Sequence, residues 1–105
     1  RSGADRVIHH IVLFRFRDGV TPAQLDAARD ALQGLAGRVP EVRRIAFGPN
    51  QAPGSEEWPW VLVVVVDDMA AVQRYLDHPA HRDAVQHAIV PIRAARLAVD
   101  VEVPA

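Results

Sequence analysis

The stretch "VIHHIVLFRFR", residues 7–17, decides the fold. It is rich in β-branched and aromatic residues over too long a run for chance, so it reads as a strand. Side chains alternate across a strand. One face then carries Ile8, His10, Val12, Phe14 and Phe16, and the other carries His9, Ile11, Leu13, Arg15 and Arg17. The second face is apolar at its centre, which a sheet with one solvated side does not need.

Outward from this strand, Asp18-Gly19 is a turn signal. Thr21 followed by Pro22 reads as an N-cap and a first helical residue. Leu25, Ala28, Leu32, Leu35 and Val39 continue at helical spacing, with Gly37 as a breaker and Pro40 as a stop. "EVRRIAFG", residues 41–48, is a second strand whose most apolar positions are Val42 and Ile45. "GPNQAPGSEE" is an exposed loop. "WPWVLVVVV", residues 58–66, is a third strand, apolar at every position from Val61 to Val66.

Asp67 or Asp68 can cap a second helix with Met69, Val72, Tyr75 and Leu76 on one face. In "DHPAHRDAVQ", residues 77–86, Asp77 or His78 caps a further short helix opened by Pro79, and Pro91 ends or kinks it. "RAARLAVDVEV", residues 93–103, closes the chain as a fourth strand. Its Leu97, Val99, Val101 and Val103 alternate with Arg96, Asp100 and Glu102. The order βαββαβ predicts an α+β, ferredoxin-like subunit: a four-stranded antiparallel sheet with helices on one face. Residues 7–103 are expected to form one domain, and residues 1–6 a flexible N-terminal segment.

The chain has 105 residues, half of them hydrophobic, so one core is expected. No spare segment is long enough to cover the apolar second face of the sheet. The expected cover is a second copy, sheet against sheet, in a two-fold homodimer. The formal net charge is -1 and no basic stripe appears, so neither nucleic acid nor an anionic membrane is an expected partner. All 12 basic residues are arginine. Cysteine is absent, which excludes disulfides, thiolate metal sites and a cysteine nucleophile. The run "WVLVVVV" is too short to span a bilayer, and a soluble cytoplasmic protein is expected. No metal site is expected either. His9 and His10 point to opposite faces, and His78 sits at a cap where its direction differs from that of His81.

"HHIVLFRFRDGVT", "PEVRRIAFGPN", "YLDHPAHRDAV" and the terminal "VDVEV" together resemble the stress-responsive α/β-barrel domain, or Dabb, family. The resemblance covers nearly the whole chain and implies a dimeric α+β barrel. Some members of that family look structural. An enzymatic member closes a linear poly-β-ketone by intramolecular aldol condensation, without a cofactor. By that resemblance, Tyr75 and His81 are the catalytic candidates and His10 lines the pocket. Val12, Phe14, Leu32, Leu62 and Val64 are the further pocket-lining candidates. The first helix has Ala28, Arg29 and Leu32 where the cyclase has aromatic residues, and an arginine there would favour an anionic substrate.

The chemistry has a physical basis. His81 falls in the first turn of its helix, where the dipole disfavours the imidazolium and leaves a neutral base. The Tyr75 hydroxyl can donate to a developing enolate or alkoxide. Tyr75 also lies where a core tyrosine packs, and His78-Pro79 is sufficient to start a helix. The function that the resemblance implies, with this pair of residues, is a cofactor-independent cyclase acting on a β-keto or aromatic small molecule. The alternatives are a non-catalytic ligand-binding or stress-related dimer and a cofactorless oxygenase of the same fold.

Overall fold

The computed structural model describes residues 5–105. Strand β1 (Arg6–Phe16) is followed by helix α1 (Pro22–Gln33), a 3-10 turn (Gly34–Gly37), β2 (Arg44–Pro49) and β3 (Trp60–Val66). Helices α2 (Met69–Asp77) and α3 (Pro79–Ala84), a π-helical turn (Val85–Ile89) and β4 (Arg93–Pro104) complete the chain. The four strands form one antiparallel sheet in the order β2-β3-β1-β4. This is the ferredoxin-like α+β arrangement expected. Of the segment expected to be flexible, residues 1–4 lie outside the described residues, while Arg6 already pairs with Pro104 in the sheet.

Local chemistry explains the element ends. Gly19 takes a φ of 83°, a left-handed conformation that opens the turn after β1 without steric cost. Thr21 caps α1 through a reciprocal box: its hydroxyl accepts from the Gln24 N–H, and the Gln24 side chain accepts from the Thr21 N–H. Asp68, not Asp67, caps α2 by accepting from the Ala71 N–H at 2.8 Å. His78 caps α3, its Nδ1 accepting from the Ala80 N–H at 3.0 Å, with Pro79 as first helical residue. Before Pro91 the helix widens, and the Val90 N–H reaches the Val85 carbonyl at 2.8 Å.

Two expectations are corrected. Val42 is buried but precedes β2, its N–H bonding the Val39 carbonyl in a turn. Met69 does not join the buried face of α2. It occupies the first helical position and is half exposed, while Ala71, Val72 and Tyr75 face the core.

The core lies between the helices and the sheet face that carries Ile8, Val12, Phe14, Phe47, Leu62, Val64 and Val66. Phe14, Phe16, Phe47 and Trp60 cluster at one end. The opposite sheet face is a set of apolar rungs. Ile11 pairs with Val63 and Val99, and Leu13 pairs with Val61 and Leu97. No element among the described residues covers that face, and Leu97, Val99 and Val101 are 46%, 47% and 42% exposed.

Candidate active site

The strand order places β4 at an edge, beside β1. A cavity of about 320 Å³ lies on the helix side of the sheet near that edge. Its apolar wall includes Val12, Phe14, Leu32, Leu62 and Ile89. Its polar groups are His10, Tyr75, His81, Arg93 and Arg96. Val64, a pocket candidate from the sequence, does not line the cavity. It is fully buried in the core.

His81 and Tyr75 meet because the break at His78-Pro79 turns α3 back on α2. Their ring centroids are 4.5 Å apart. The His81 Nδ1 lies 3.0 Å from the Leu76 carbonyl. A carbonyl only accepts, so Nδ1 carries the proton and the neutral ring keeps its lone pair on Nε2. Burial lowers the His81 pKa below the ordinary histidine value; the Leu76 carbonyl opposes this, and nearby His10 and Arg96 add to the lowering. Desolvation is the largest cause of this lowering.

Tyr75 is fully buried, and its hydroxyl has no hydrogen-bond partner among the described residues. Leaving such a hydroxyl unsatisfied costs roughly 1–3 kcal/mol. Burial also pushes the phenol pKa well above the ordinary tyrosine value, so the hydroxyl stays protonated as a donor. His10 stands edge-on to the Tyr75 ring, with centroids 5.9 Å apart. Its Nδ1 donates to Asp100 Oδ1 at 2.7 Å, across the β1–β4 register that pairs the two residues.

Sequence reading missed Asp100, Arg93 and Arg96. Arg29, the arginine expected at the pocket wall, pairs with Asp26 on the exposed side of α1 and does not line the cavity. The alternation of β4 contained the signal for Arg96 and Asp100. It needed the register that sets them opposite Phe14 and His10. Among the described residues, no three His, Cys, Asp or Glu side chains gather as a metal site. No helix among them is long and apolar enough to cross a membrane.

Residues 8–103 match the family model of the stress-responsive A/B barrel domain. An uncharacterized protein of Streptomyces coelicolor is 32% identical over 81 residues, which span 75% of this chain and 84% of that protein. Olivetolic acid cyclase of Cannabis sativa is 24% identical over 76 residues, 70% of this chain and 75% of the cyclase. The crystal structure of a dimeric ferredoxin-like protein from Thermobifida fusca superposes with a TM-score of 0.80 at 34% identity. That match covers 95% of this chain and 93% of the other.

Proposed function

The chain belongs to the stress-responsive A/B barrel domain family, and from that premise we propose that its cavity carries out cofactor-independent acid–base chemistry of the intramolecular aldol kind. The substrate class is a β-keto or aromatic small molecule. The observation that carries this reading is the buried Tyr75 hydroxyl, unpartnered among the described residues, beside a histidine whose free nitrogen is Nε2. The likeness to olivetolic acid cyclase supports it.

The chemistry follows from the two groups. His81 Nε2 removes a proton from the carbon between or beside substrate carbonyls, becoming imidazolium. The electron pair moves onto the carbonyl oxygen as an enolate, and the Tyr75 hydroxyl donates to that oxygen. The enolate carbon then attacks a second carbonyl of the same molecule and closes the ring. The resulting alkoxide takes the proton back from His81. Burial favours both halves: it keeps His81 unprotonated and so free to accept a proton, and it keeps Tyr75 a donor.

The test needs no knowledge of the natural substrate. Deuterium exchange into the methyl ketone of 4-acetylbenzoate, followed by NMR, reads the proton-removal step alone. The wild-type protein accelerates exchange over buffer. His81→Ala abolishes the acceleration, and Tyr75→Phe reduces it by roughly 10²-fold, as for loss of an oxyanion donor. Exchange at the buffer rate with wild-type protein, alongside saturable binding, would favour the non-catalytic ligand-binding reading.

We also propose that the subunit is a homodimer through its outer sheet face. The uncovered rungs Val63–Ile11–Val99 and Val61–Leu13–Leu97 support this, as does the dimeric Thermobifida relative. An apolar patch of that continuity is unusual on a monomer surface.

A further inference from the structure

Arg93 and Arg96 are three positions apart on β4, a spacing that places side chains on opposite faces of a regular strand. Both nevertheless line the cavity. The register explains how. Arg96 pairs with Phe14 and Ala95 with Arg15, but Phe16 pairs with Arg93, so Ala94 is an extra residue in β4. Such a bulge resets the alternation and re-aims a side chain. Phe14 and Phe16 stack on the same face of β1, and the two arginines stand opposite them.

Neither guanidinium has an ion-pair partner among the described residues. The acids that pair with arginine elsewhere engage Arg29, Arg43, Arg74 and Arg82. Asp100, the acid on the same face of β4 that lies nearer Arg96 in sequence than Glu102 does, is bonded to His10 at 2.7 Å. The cavity thus has apolar walls, a buried hydroxyl donor on α2 and two uncompensated cations on the edge strand.

We propose that the cavity selects a free carboxylate, held by Arg96 and Arg93, over the neutral ester or amide of the same molecule. This rests on the cavity being the ligand site and names its substrate class. Arginine suits the role because its planar fork matches a carboxylate in two parallel hydrogen bonds. The carboxylate lies toward the open edge at β4, where it is partly solvated. The apolar body lies against Val12, Leu32 and Leu62, and a carbonyl at the other end accepts from Tyr75. Arg93 and Arg96 are specificity-determining residues in this arrangement; neither takes part in proton transfer.

The experiment is an NMR titration of the protein with 4-acetylbenzoate and with its methyl ester. The acid is expected to bind roughly tenfold tighter than the ester, the scale of a charge-assisted pair at a partly exposed site. Arg96→Gln and Arg93→Gln each narrow that gap, and the double variant closes it. Arg29→Gln, on the exposed side of α1, retains it. Equal affinity of the two probes for the wild-type protein, or a gap unchanged in the double variant, overturns the proposal. If the probes bind equally but Tyr75→Phe weakens both, selectivity fails while the cavity remains the ligand site. If neither probe perturbs signals of His81 or Tyr75 at millimolar concentration, both readings fall.

Discussion

Tyr75 is where function and stability separate. Its hydroxyl is fully buried and lacks a partner among the described residues, so it costs stability instead of adding it. Tyr75→Phe keeps the ring and removes the orphan group. It is expected to raise the melting temperature by several degrees, at about 4–8 °C per kcal/mol for a domain of this size. Calorimetry that shows a lower melting temperature would mean the hydroxyl is satisfied in solution. His81 sets an acid limit. Its pKa is lowered in the folded chain, so below about pH 6.5 the unfolded state takes up the proton first. Its contribution to stability is therefore complete above that pH and is lost as pH falls toward the folded pKa. Tyr75 works at the other end. Its pKa is raised, so its contribution is complete below about pH 10 and declines as pH rises beyond it. Urea unfolding midpoints across pH, compared with His81→Ala and Tyr75→Phe, check both slopes. A neutral His81 was expected from the residues alone, but the orphan hydroxyl of Tyr75 was not legible there. The sequence places a tyrosine on an apolar face, but whether its hydroxyl finds a partner depends on what packs above it.

The caps and breaks were readable because they act over two to four residues. Thr21-Pro22 with Gln24, Asp68 and His78-Pro79 each solve the problem of unsatisfied N–H groups at a helix start, using their own neighbours. Thr21→Ala removes one half of the α1 capping box and is expected to cost about 1 kcal/mol, seen as a lower urea midpoint with an unchanged slope. The misreadings at this level have one cause. Val42 and Met69 are apolar residues at element ends, where hydropathy says burial but not which element supplies it. Arg93 was hidden for a different reason. Strict alternation assigns it to the face opposite Arg96, and only the bulge at Ala94 reverses that assignment. A bulge is set by how two strands meet, so it leaves no dependable mark on either strand alone. The π-helical turn after α3 is comparable: it brings Val85 and Ile89 to the cavity wall, and nothing in "VQHAI" announces it.

The molecule as a whole is one sheet with one face covered. The uncovered face predicts its own test. Val99→Arg and Val63→Glu each place a charge in the centre of the apolar rungs, away from the cavity. Sedimentation velocity should show the wild-type protein as a dimer and each variant shifted toward monomer. A wild-type monomer at micromolar concentration would remove the interface, leaving the cavity chemistry to be judged separately. The order of elements, the helix starts and the apolar character of both sheet faces came from the sequence alone. Each depends on the local chemistry of neighbouring residues or on a period of two or 3.6, which the chain carries in one dimension. The tertiary structure decided what the polar residues do. The His81 pKa is lowered because burial outweighs the carbonyl that favours its charged form. Asp100 belongs to His10 because antiparallel register sets residues 90 positions apart side by side. Two arginines share a cavity because an extra residue shifts the pleat. Desolvation, register and bulges are properties of pairs of elements, so they exist only once the chain has folded.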